Sequence, residues 1–108
     1  MENDELNHLK EIYIKSLHEK FIAIQQFIET LRRNTNLETL KELRLTIHKM
    51  AGSAGTYGYP TVSDICRVWD QTFAEMILSF PACQKDLSWL NEFERTFAKI
   101  KQEFSRHG

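Results

Sequence analysis

The sequence predicts an all-α fold: an antiparallel four-helix bundle, with a short extra N-terminal helix if the first helical stretch divides in two. Three observations predict it. Apolar residues recur at steps of three and four in four successive stretches, the period of a helix face. Only short breaks separate the stretches, and short connections make neighbouring helices antiparallel. The 108 residues include four Gly and two Pro, too few turn-formers for an all-β chain. That length suits a single domain, 1–108, around one core.

The first stretch runs from about Glu5 to Arg33, with Leu17, Phe21, Ile24, Ile28 and Leu31 as its apolar face. Leu6, Leu9 and Tyr13 begin a similar stripe. The phase loosens at Ser16-Leu17-His18, which predicts a bend or a division into two helices there. Asn34-Thr35-Asn36 is a break, and Thr35 with Glu38 matches a capping box. In the second helix Leu40, Leu43, Ile47, Met50, Ala54 and Tyr57 step by three and four without interruption, a seam facing a core. Gly58 suits a left-handed C-terminal cap, and Pro60 prevents continuation. A third helix is expected from about Thr61 to Leu78, burying Ile65, Val68, Trp69, Phe73, Met76 and Ile77. Phe80-Pro81-Ala82-Cys83 reads as a turn. Asp86 or Ser88 then caps a last helix with Leu90, Phe93, Phe97, Ile100 and Phe104 as its stripe.

Composition narrows the function classes. Hydrophobic residues are 42% and charged residues 27%, ordinary globular usage. The net charge is −1 with scattered basic residues, so neither nucleic acid nor a membrane surface is an expected partner. No apolar stretch approaches the roughly 20 residues needed to span a bilayer. The acidic, polar start lacks the pattern of a signal peptide, so the expected compartment is the cytoplasm. Cys66 and Cys83 lack metal-ligand spacing and sit among apolar neighbours, as buried inert thiols do.

The second helix carries an anomaly. Wound at about 100° per residue, it turns His48 about 130° away from the core seam, with Gly52 nearly opposite the core and Gly55 on the flank. Arg44, His48, Gly52 and Gly55 therefore share one stripe. A glycine inside a helix costs about 0.8–1 kcal/mol relative to alanine. On this face packing does not obviously explain two of them, although Gly55 also suits a close approach by an adjacent helix. What they do is clear space on the C-terminal side of a projecting imidazole, where another protein surface can approach. His8, His18 and His107 have no such surroundings and read as ordinary solvated histidines.

The segment Ile47-His48-Lys49-Met50-Ala51-Gly52-Ser53-Ala54-Gly55-Thr56-Tyr57-Gly58-Tyr59 resembles the phosphorylation-site segment of histidine-phosphotransfer (HPt) domains. Their pattern places a Leu or Met two residues after the histidine, then Gly-Ser-Ser/Ala, with a further Gly closing the helix. The order and length of the helices are similar over nearly the whole chain. The resemblance implies that His48 is a phosphorylated nucleophile. Donor and acceptor would be aspartates of receiver domains, in a response regulator or a hybrid histidine kinase. The receiver would supply Mg²⁺, so no cofactor is expected of this chain. With no Gly-rich nucleotide loop and no acidic metal cluster beside His48, it should have no kinase or ATPase activity of its own. Arg44 and Lys49 are candidates for phosphate or partner electrostatics, and Gly52, Ser53 and Gly55 for close access. Two positions depart from the family pattern. Ala51 stands where many members have Lys, and Asp70 stands where members often place Gln, Lys or Arg. A carboxylate beside a phosphoimidazole is unfavourable, so Asp70 should turn away, or Arg67 or Gln71 should make the contact.

Other readings of the residues remain. The departures suit an HPt-like bundle that binds a receiver domain without phosphotransfer. A helical adaptor outside phosphorelays is another. Glu5 and His8 have the Glu-x-x-His spacing of metal-binding bundles, but in one copy only, so no metal site is expected.

Overall fold

A computed structural model describes the backbone of residues 2–80 and 82–107, and the side chains of 4–80, 82 and 84–105. Four helices form a bundle: α1 (Glu2–Arg33), α2 (Leu37–Thr56), α3 (Pro60–Leu78) and α4 (Ser88–His107), with a 3₁₀ turn at Ala82–Gln84 before α4. Side-chain pairs establish antiparallel neighbours. Tyr13 meets Phe104 while Arg32 bonds Asn91, so α1 and α4 run in opposite directions. Trp69 meets Phe93 and Phe73 meets Trp89, which does the same for α3 and α4.

The first helix does not divide. It is continuous through Ser16-Leu17-His18, and there is no extra N-terminal helix among the described residues. The buried residues Tyr13, Leu17, Ile24, Ile28 and Leu31, with half-buried Phe21, hold one helical phase across that point. No Gly or Pro interrupts it, and the Ser16 hydroxyl donates back to the Tyr13 carbonyl without breaking the ladder. Leu6 and Leu9 do not extend the buried stripe; they and Ile12 are about half exposed. At 1.5 Å per residue α1 is roughly 48 Å long, against about 30 Å for α2. Its first turns therefore outreach α2, and the molecule with them is 53 Å in its long dimension.

The expected Thr35–Glu38 capping box is not formed. Thr35 donates its hydroxyl to the Leu31 carbonyl, satisfying the end of α1. Asn36 is the N-cap instead, its side chain accepting from the Thr39 amide at 2.8 Å. Gln84 donates to the Thr35 carbonyl, tying the 3₁₀ turn to this loop. At the far end, Asp86 accepts from the Ser88 amide and opens α4, whose whole expected stripe is buried.

The third helix is rotated slightly from expectation. Val68 is 65% exposed rather than buried. The core face is Val62, Cys66 and Phe73, with Ile65, Trp69, Met76 and Ile77 partly buried against it. Burial pushes the Cys66 thiol up to about 12, with the charge of Asp70 adding to it, so this cysteine is an inert core residue. Pro81 and the side chain of Cys83 lie outside the described residues, and with them the expected burial of Cys83.

The reversal after α2 is a Schellman turn. Tyr59 N–H donates to Ala54 O, Gly58 N–H donates to Gly55 O, and Gly58 has φ +89°. The turn delivers Tyr57 and Tyr59 to either side of one aromatic cluster: Tyr57 stacks on Tyr13 at 4.3 Å, and Tyr59 packs on Phe104 at 4.6 Å. A side chain at position 58 meets no neighbour, so its cost is backbone strain alone. Gly58→Ala is expected to lower stability by about 1–2 kcal/mol, read from the urea midpoint at unchanged m-value.

Candidate functional site

The most extensive helix pair in the bundle is α2 with α3. Its close approach is at Gly55, where a Cβ would lie 3.3 Å from the Ser63 hydroxyl. That hydroxyl donates to the Ala51 carbonyl at 2.7 Å. Gly55 is therefore a packing glycine, the second of the two roles its position allowed. From this contact, seven residues back along α2 is His48 and seven forward along α3 is Asp70. Seven residues are two turns on either helix, so the antiparallel pair brings these two side chains level.

They meet directly. His48 Nδ1 lies 2.8 Å from Asp70 Oδ2, and Arg44 Nε lies 2.9 Å from Asp70 Oδ1. The expectation that Asp70 turns away, or that Arg67 or Gln71 takes its place, is thus corrected. Arg67 is exposed, Gln71 bonds Glu75, and the contact with the imidazole belongs to Asp70. Burial by itself would raise the Asp70 carboxyl. The hydrogen bonds from His48 and Arg44, with their charges, outweigh burial and hold it below its ordinary 3.8. An ionised carboxylate only accepts hydrogen bonds, so the His48 nitrogen facing it carries the proton. The other nitrogen, Nε2, has no hydrogen-bond partner among the described residues, and the side chain is 62% exposed.

The surroundings of the ring differ by side. Toward the C-terminus of α2, a Cβ on Gly52 would find nothing within 4 Å, so this glycine opens onto free space. Toward the N-terminus a shallow depression is lined by Lys41, Arg44, Leu45, His48 and Ile77. Leu45 there is exposed, an apolar contact the sequence reading did not single out. Lys49 is exposed one residue along from the ring. Ser53 faces away from the site: its hydroxyl lies 3.1 Å from the Tyr13 hydroxyl and helps join α2 to α1. Ala51 is buried under the Ser63 contact. Among the described residues no group of three or more His, Cys, Asp or Glu side chains could hold a metal ion, and no helix is long and apolar enough to cross a membrane.

The family model for the Hpt domain matches residues 8–103. The chain belongs to the Hpt domain family. Comparison with curated proteins and with solved structures gives no match. Hpt domains act in histidine phosphotransfer within phosphorelays and work with receiver domains of two-component systems, so membership places this bundle in that chemistry.

Two outcomes test the geometry of this Hpt domain. Gly52→Ala adds a methyl group to an exposed helix position with no neighbour, and should raise stability by about 0.5–1 kcal/mol in urea unfolding. For Asp70, the folded pKa lies below the unfolded one. Its contribution to stability is therefore present above the unfolded pKa and lost as pH falls through the folded value. Asp70→Asn should flatten the stability profile below about pH 4, measured by denaturant unfolding across that range.

Proposed function

We propose that His48 accepts a phosphoryl group from a receiver-domain aspartate, including that of a hybrid histidine kinase, and passes it to another receiver domain. The observation that carries this reading is the imidazole itself: exposed, held at Nδ1, and free at Nε2 beside a glycine that leaves the approach open. Phosphoryl transfer of this kind needs an in-line nucleophile and neutralised charge more than it needs covalent help from the protein. An imidazole, with an ordinary pKa near 6.5, offers an unprotonated nitrogen near neutral pH.

The division of labour follows. This chain brings the nucleophile, a rigid helical platform and a docking face that includes Leu45 and the depression beside it. The receiver brings the phosphorylated aspartate and Mg²⁺, so this chain uses no cofactor and has no kinase or ATPase activity of its own. Arg44 and Lys49 contribute positive charge near the transferred group. The setting is the cytoplasm.

The carboxylate of Asp70 beside the ring and the uncharged Ala51 favour a second reading, a receiver-binding module without transfer. One experiment separates the two. The protein is mixed with a panel of phosphorylated receiver domains, and label and complex formation are both followed. Acid-labile, base-stable label on the wild type and none on His48→Gln is the expected result. Complex formation without label supports the binding module, and label retained by His48→Gln removes His48 as the site.

A further inference from the structure

We infer that the open groove between α1 and α4 is a binding site for a long-chain carboxylate, its tail on the groove's aromatic floor and its head among Lys15, His18 and Lys101. The inference goes beyond the phosphotransfer reading and does not depend on it.

Of the neighbouring helix pairs, α1 and α4 are the most loosely packed. Rings join them: Phe21 lies 5.7 Å from Phe97 and 5.8 Å from Phe104. Beside these rings the two helices leave a cleft of about 930 Å³. Small-molecule sites commonly occupy roughly 300–1,000 Å³ and are lined by apolar and aromatic side chains with a few polar groups. The same description fits here. Buried Leu17, Phe97 and Phe104, with half-buried Ile14 and Phe21, form the floor, and exposed Ile22 stands at the edge. Along α1 the lining runs from Glu11 to Gln25, about 21 Å of helix. An extended chain advances roughly 1.2 Å per bond, so a twelve-carbon tail of about 14 Å fits along it.

The charged lining decides the sign of the head. Lys15 and Lys101 face one acid, Glu11, with His18 beside them. The Lys101 Nζ lies 4.5 Å from the centre of the Phe97 ring. Its ammonium is thereby drawn over the apolar floor, where water is partly displaced and a carboxylate gains more from it than from a fully hydrated lysine. An anionic head joined to a hydrocarbon tail uses both features at once. A neutral lipid leaves the cations unused, and a cationic amphiphile meets repulsion. A second copy of this chain, paired through the same face, would set the cations against themselves. The cleft is also concave, which suits one chain better than a bilayer surface. It is formed by α1 and α4 alone, whereas the depression at His48 is formed by α2 and α3. Ligand and receiver domain therefore engage different faces.

The test titrates the full chain with dodecanoate below its micelle concentration, by calorimetry and by NMR. Binding should be one to one, with a dissociation constant at or below about 1 mM, the scale that ~14 non-hydrogen atoms reach at drug-like efficiency. Shifts should centre on Ile14, Ile22, Phe97 and Phe104 and leave His48 and Leu45 unmoved. Octanoate, four methylenes shorter, should bind about ten- to a hundredfold more weakly. Lys15→Glu combined with Lys101→Glu should weaken dodecanoate about tenfold or more, the scale of one lost charge-assisted hydrogen bond, and leave the neutral probe decanol unaffected. Ile22→Glu, at an exposed position, should weaken both. Urea unfolding checks that these surface variants remain folded. Absence of dodecanoate binding, binding indifferent to the charge reversal, or shifts centred on another face overturns the inference. So does self-association of the wild type that Ile22→Glu abolishes, which makes the groove an interface between copies. Cosedimentation with phosphatidylglycerol vesicles without binding of free dodecanoate makes it a membrane contact and overturns the inference as well.

Discussion

Ser63 lies against Gly55 with its hydroxyl on the Ala51 carbonyl, and the register of α2 on α3 is set there. The hydroxyl is buried, so its hydrogen bond is costly to lose. A side chain at position 55 would press on Ser63 and hold the helices apart. Two turns away, the His48–Asp70 bond depends on that register. A slip of one turn, about 5.4 Å, would carry the carboxylate out of hydrogen-bond range of the ring. The site is therefore built by a contact that touches none of its reacting atoms. The tyrosine cluster closes the same end of α2 onto α1 and α4, so the helix bearing His48 is fixed on three sides.

The charges at the site are arranged for direction more than for strength. His48 and Arg44 are substantially exposed, and ion pairs in such settings contribute little to stability. Asp70 is the least exposed of the three and takes a hydrogen bond from each of the others. A half-buried acceptor between two exposed donors converts loose surface side chains into an ordered group. Orientation of this kind matters most where a reacting atom has to point toward a partner.

Helix number, the α2 and α4 faces and the C-terminal cap were legible in the sequence because each rests on one local rule. Apolar period reveals a buried face, and a glycine followed by proline reveals a stop. Errors arose where two local rules competed or where a neighbour decided. Thr35 fits a capping box, yet its hydroxyl is used by the preceding helix and Asn36 takes the cap. The loose phase near Leu17 suggested a break, yet the tertiary face stays continuous through Tyr13 and Leu17. Val68 is apolar, yet sits beyond the seam that Cys66 and Phe73 define. At the site, outward His48 and its glycine neighbours could be read from helix phase alone. The position of Asp70 could be counted, but its direction could not. A carboxylate near an anion-carrying ring looks repulsive until Arg44, one turn before His48, is seen holding its other oxygen.

The unequal length of the helices gives α1 two mechanical regimes. From Tyr13 onward it is packed on the bundle, and its amides should exchange with solvent only when the whole domain opens. Before Tyr13, Leu6, Leu9 and Ile12 have half their surface in water, and the helix there is maintained mainly by its own backbone ladder and propensity. One uninterrupted helix thus contains a cooperative boundary near its twelfth residue, with a unit that can fray and reform while the helix pair carrying His48 and Asp70 stays folded.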